Sequence, residues 1–268
     1  MHSLRAIPTM LRIGFTEAFA YRAEIVVWVL STVMPFVMLV LWTAVAANAP
    51  VLVQGRSWSS AHFVAYFLSM FVVQQLLSAS AAWEINSEIR SGNLAMRLLR
   101  PVHPFVVYLA HNLSALPLRL AVTLPVIVAL AVSPAAESMA HELGIWSLVP
   151  VALLGGWLIT FFVQIAIGTM ALYMDSSLRL MDAWLALWFV FSGYLFPTDL
   201  FPAWFQPVLN WLPFRYQIGL PVELMMGQHD FSEGLQLLCR QFGFAAACIT
   251  ISLLIWRGGL KRFQAFGG

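Results

Sequence analysis

The chain is a succession of long apolar runs, nearly free of charge, separated by short stretches in which the charged residues collect. The runs fall at about 25–47, 63–82, 112–132, 145–174, 183–200 and 235–256. Wound as α-helices at ~1.5 Å per residue, they approach or exceed the ~30 Å hydrocarbon core of a bilayer. Inside lipid every backbone N–H and C=O needs a partner within the protein, so runs of this length and polarity read as helix. The pattern predicts an all-α membrane protein with six transmembrane helices in a single domain covering residues 1–268.

Several runs carry interruptions. Pro35 should kink the first, and Pro117, Arg119 and Pro125 stand in the third. The fourth is too long for an upright helix, so tilt, an interfacial first turn at Trp146 or a break near Gly155-Gly156 is expected. Beyond the start of the fifth run, Pro197, Pro202, Pro207, Pro213 and Pro221 punctuate an apolar stretch rich in Trp and Phe. This predicts broken half-helices before the last span, lying in the outer interface or dipping back into the membrane. Ala47-Asn48-Ala49 imitates the exit site of a cleaved leader. The run before it is long enough to span, however, and the residues ahead carry Glu17 and Glu24, so it reads as a retained membrane helix.

Only 10% of the residues are charged, against the roughly 25% usual in soluble domains, which leaves too little polar surface to cover a water-soluble globule. With six spans both ends share a side. That side holds Arg5, Arg12, Arg22, Arg90, Arg97, Arg100, Arg179, Arg257, Lys261 and Arg262, while the other holds Arg56, Arg215 and Arg240. The asymmetry predicts that both termini, the segment Glu84 to Arg100 and the hairpin Asp175 to Asp182 are cytoplasmic. A net charge of +2 and the lack of a basic run interleaved with stacking aromatics give no support to a nucleic-acid partner.

Catalytic chemistry finds little footing. A phosphate-binding loop needs a lysine beside the phosphates, and the only lysine is Lys261 in the tail, outside any such motif. ATP hydrolysis on this chain is therefore not expected. Cys239 and Cys248 lie on one predicted helix about half a turn out of phase, too far apart to bridge, and no ligand-spaced cluster suggests a metal.

The informative segment runs from Glu84 to Pro101. Its residues predict a helix, a break at Gly92-Asn93 and a second short helix stopped by Pro101. Leu94 and Leu98 lie at i,i+4 on one face of that second helix, and Arg97 and Arg100 at i,i+3 on another. Such a helix either rests on anionic lipid headgroups or docks on a cytoplasmic partner, and periodicity alone leaves both open.

The segment also carries a resemblance. Trp83-Glu84-Ile85, Glu88-Ile89-Arg90-Ser91-Gly92-Asn93-Leu94 and Leu98-Leu99-Arg100-Pro101 resemble the permeases of type-two ATP-binding-cassette (ABC) exporters, most closely their bacterial branch. Further matches are Tyr66, Gln74-Gln75, Ser192-Gly193, Pro197, Phe201-Pro202, Pro213-Phe214 and Trp256-Arg257-Gly258-Gly259-Leu260, so the likeness extends over nearly the whole chain. It implies an N-terminal interfacial helix, which suits Leu4 to Tyr21. It also implies a cytoplasmic coupling helix that inserts into an ATPase, here carried by Glu84, Glu88, Arg90, Gly92, Leu94, Leu98, Arg100 and Pro101.

The implied function is the permease subunit of an ABC exporter in the bacterial cytoplasmic (inner) membrane. Its partners would be a separate ABC ATPase that holds the ATP and Mg, a second permease (a copy of this chain or a paralogue) and membrane lipid. Residues placed to line a transport path are Gln74, Gln75, Ser78, Arg119, Trp188 and Tyr194. For Arg119, snorkelling toward headgroups stands beside a bundle-facing pair or substrate contact. A secondary transporter or channel not driven by ATP is the alternative, and it predicts paired ionisable groups at mid-membrane depth or inverted repeats.

Overall fold

A computed structural model describes residues 22–53 and 55–263. The N-terminal interfacial helix expected over Leu4 to Tyr21 lies outside them. Helix α1 (Arg22–Val45) contains Pro35 and leads into a hairpin of two short antiparallel strands, β1 (Val51–Val53) and β2 (Arg56–Trp58). Val51 pairs with Trp58 and Val53 with Arg56, and Gly55 takes the left-handed conformation the tight turn requires.

Ser59 then caps α2 (Ser60–Leu77), accepting from the His62 amide at 3.4 Å. A three-residue interruption separates α2 from α3 (Ala81–Arg90), and α4 (Asn93–Leu98) follows. Next come α5 (Pro104–Ser114) and α6 (Leu116–Val132), a 3-10 turn at Pro134–Ser138, then α7 (Leu143–Thr169) and a second 3-10 turn at Met170–Leu172. The chain continues through α8 (Leu178–Phe191), a third turn at Thr198–Leu200, α9 (Gln206–Leu209), α10 (Gly219–Met225) and α11 (Phe231–Leu260).

Four stretches among the described residues are helical, long and apolar enough to cross a membrane: Ser60–Arg90, Pro104–Val132, Leu143–Leu172 and Phe231–Leu260. A shorter apolar helix covers Val33–Val45. Helix α8 begins ahead of position 183 and ends at Phe191, short of position 200. Ser192 is the C-cap and Gly193 turns the chain with a φ of 86°. From there to Gly227 only short helical pieces form, since the prolines repeatedly remove donors from the helical ladder.

Two buried clusters organise the packing. The larger gathers Phe63, Tyr66, Phe67 and Met70 of α2 with Ile159 of α7, Leu220 and Leu224 of α10, and Leu237 of α11. The smaller joins Ile85 and Ile89 of α3 and Leu94 of α4 to Tyr108, Phe161, Ile165 and Trp256. Helices α7 and α11 make the broadest helix contact in the fold. Gly155 and Gly156 permit close approach at α7: a Cβ on Gly156 would stand 2.4 Å from the Gln217 carbonyl, and one on Gly155 would stand 2.4 Å from Gln241 Oε1. The helix passes through this glycine pair unbroken, so the pair serves packing rather than the break that the sequence suggests.

Candidate functional site

The segment Glu84 to Pro101 folds as a rigid elbow. Gly92, with a φ of 74°, forms the bend between α3 and α4, a conformation that L side chains adopt only with strain. Polar contacts fix the angle. Arg97 of α4 reaches back to Glu88 and lies 3.7 Å from Glu84, while its guanidinium sits over the Tyr108 ring at 4.9 Å. Tyr108 donates to Glu88 at 2.7 Å, and His111 stands 2.9 Å from Glu84, so the elbow is tied to α5. On the other side Arg90 donates to Asp175 at 3.2 Å and to the Met174 carbonyl at 2.9 Å, and Asn86 donates to Ser177 at 2.6 Å. The elbow thus bridges α5 and the turn before α8.

The two leucines read as a docking face share a side that is turned inward. Leu94 is 0% exposed and belongs to the smaller core cluster, and Leu98 packs against the edge of that cluster. Bare instead are Met96 at 65% and Leu99 at 79%, with Val102 beyond Pro101 and Arg100 beside them. A short helix on a support has one inward and one outward apolar side. Periodicity finds both without telling which is which.

The residues expected to line a path fall into two groups. Tyr194 is buried and hydrogen-bonded to Gln74, with Trp188 5.0 Å and Phe189 4.8 Å away between ring centroids. Ser78 and Arg119 form the other group, at the interruption between α2 and α3, where Arg119 donates to the Ser78 carbonyl. Gln75 is half-buried on α2.

At the opposite end from the elbow lies a cluster whose members follow no common helical period in the sequence. Glu223 of α10 receives Arg215 Nε at 3.0 Å and Nη2 at 2.7 Å, and accepts from Thr198 at 2.6 Å. Its second oxygen is 3.0 Å from His229 Nε2, and His229 Nδ1 is 3.0 Å from Glu233. Arg215 also donates to Asn210. Asp199 pairs with Arg56 of β2 at 3.0 Å, which fastens the strand hairpin to the broken stretch. Burial alone would lower the His229 pKa, but Glu223 and Glu233 outweigh it and hold the imidazole above its ordinary value.

A family model described as ABC-2 family transporter protein matches residues 30–267. The chain belongs to the ABC-2 transporter family. A comparison with curated proteins found no match. Membership makes this a multi-pass membrane domain of the ABC transporter class, for which an ABC ATPase is the general partner. The motif residues of this ABC-2 chain, distant in sequence, meet in space. Tyr66 donates to the Gly193 carbonyl at 2.7 Å, and a Cβ on Gly193 would stand 2.6 Å from that same hydroxyl. Gly258 and Gly259 admit Tyr173 and Leu172, and Tyr173 donates to the Ile255 carbonyl at 2.7 Å.

Proposed function

We propose that this ABC-2 chain is the permease subunit of a bacterial inner-membrane exporter, driven by ATP hydrolysed on a separate ABC ATPase. In this reading the four long helices, α1 and the α8 region make six spans with both termini cytoplasmic. A second permease, either a copy of this chain or a paralogue, supplies the other wall of the pathway. The direction of transport is taken from the resemblance to exporter permeases.

The observation that carries the proposal is the elbow. Met96, Leu99 and Val102 present bare apolar surface on a support braced to two other parts of the bundle, which suits a contact that must both bind and transmit force. An anionic lipid surface would call for outward cations with the apolar residues directed toward the bilayer. Of the two arginines, Arg97 is turned inward onto Glu88, which leaves Arg100 as the single cation beside an exposed surface that is otherwise apolar. Purification of the intact complex, with subunits identified by mass, should reveal an ATPase at stoichiometric level. The Met96→Asp, Leu99→Asp double variant should insert normally and lose that ATPase. Retention of the ATPase by the double variant would remove the elbow from consideration as the contact.

A further inference from the structure

Helix α2 ends at Leu77, with Ser78 as its C-cap at a ψ of 136°, and α3 begins at Ala81 within the same long apolar stretch. A helix end leaves carbonyls without intrahelical partners and a partial negative charge at its C-terminus, and in apolar surroundings protein groups must satisfy them. Three side chains from three other helices meet this interruption. Arg119 of α6 donates through Nη1 to the Ser78 carbonyl. Asn112 of α5, with its amide nitrogen toward the same carbonyl, donates to it at 3.1 Å and accepts from the Ser80 amide at 3.2 Å. Gln164 of α7 donates to the Ala79 carbonyl at 2.9 Å and accepts from the Ala82 amide at 3.4 Å. Gly168 seats the first turn of α3 directly on α7, since a Cβ there would lie 2.9 Å from the Ala82 carbonyl.

We infer that Arg119 is a positioning residue, whose guanidinium holds the carbonyl end of α2 and thereby sets the angle between that span and the α3–α4 elbow. The chemistry separates this from the other roles open to an arginine in a span. A snorkelling side chain would carry its charge to the headgroups and needs no protein acceptor, and an ion pair would need a carboxylate. The acceptor is a backbone carbonyl at a helix C-terminus, where positive charge is favoured. Asn112 and Gln164 bridge the gap as neutral clasps, each using both ends of its amide. Arg119 adds the one formal charge, and it does so from a helix whose Leu118, Val122, Leu124 and Val128 face away from the bundle.

Force arriving at the elbow must pass through α3 to reach α2, and the interruption is where that transfer would fail if it were slack. This mechanical role rests on the reading of the elbow as the ATPase contact, whereas the angle itself is a property of the permease alone.

The test measures that angle in the full chain reconstituted in lipid, with Cys239→Ser and Cys248→Ala as background and spin labels on Ala61→Cys and Ser87→Cys. The two sites would be about 39 Å apart if α2 and α3 were one straight helix, so the bend shows as a shorter distance. Native protein should give one narrow peak. Arg119→Met should raise the population outside that peak roughly fivefold, the effect of losing one helix-capping contact. Arg119→Lys keeps a cation at the helix end and should hold the native width. An unchanged peak in Arg119→Met, or a lysine variant as broad as the methionine one, overturns the inference. Loss of ATPase copurification bears on the proposed function and leaves this readout independent.

Discussion

Arg215 grips Glu223 through two parallel hydrogen bonds, Nε to Oε1 at 3.0 Å and Nη2 to Oε2 at 2.7 Å, around a carboxylate whose side chain is 1% exposed. Removing one partner of such a pair strands a buried charge and costs about 3–5 kcal/mol. Glu223→Ala should therefore lower the unfolding temperature sharply in detergent. The Glu223→Ala, Arg215→Met double variant should recover part of the loss, because no charge is then left without a partner. A single variant as stable as the wild type would show that the fork does not hold the broken stretch together.

His229 gives that same cluster a pH dependence. Its pKa stands above the ordinary imidazole value of about 6.5 because Glu223 and Glu233 face it, with Asp230 adjacent in the chain. A group whose pKa is raised by folding contributes its full stabilisation below the unfolded value and loses it as pH climbs through the folded one. Thermal stability should therefore decline as pH rises from about 6.5 through the raised His229 value. In His229→Gln this decline should flatten. A variant that retains the full slope would place its origin elsewhere.

The inward and outward leucines of the elbow should separate in mutagenesis. Leu94→Ala opens a hole in the smaller core cluster and should cost about 2–5 kcal/mol of stability. Leu99→Ala removes a side chain already 79% exposed and should leave stability within about 0.5 kcal/mol of wild type. Unfolding of both variants beside the parent is the measurement, and equal losses would mean that Leu94 is not where the packing puts it.

Membrane sidedness follows from the arginine asymmetry. A cysteine at Asn93, exposed at the bend of the elbow, should react with impermeant thiol reagents from the cytoplasmic side alone. Cysteines replacing the exposed Trp204 or Trp211 should react only from outside. The reverse pattern at either site would invert the topology.

What the sequence makes legible is governed by how local the cause is. The bend between α3 and α4 can be read directly, because Gly92 and Pro101 act on their own neighbours. The broken stretch likewise follows from its prolines. The Arg215–Glu223–His229 cluster cannot be read this way, since its members share no helical period and meet only because the prolines fold the chain back on itself. Arg119 is conspicuous as a charge in an apolar run. Its acceptor is a backbone carbonyl, which every residue possesses, so no side-chain pattern could identify it. Gly155-Gly156 is visible as a weak point of a helix, yet the groups that fill the space beside it, Gln217 and Gln241, come from distant segments.

Helix α6 touches the bundle along one edge and turns Leu118, Leu124, Val128 and Val132 away from it. Among the described residues nothing covers those side chains, and a lipid tail distinguishes poorly between one aliphatic group and another. A saturation scan of the helix should accordingly accept Leu, Ile, Val, Met or Phe almost interchangeably at these positions. Arg119 and the buried Thr123 should tolerate little. The greasy face of α6 thus answers only to greasiness, while Arg119 answers to a single carbonyl that no side-chain substitution can remove.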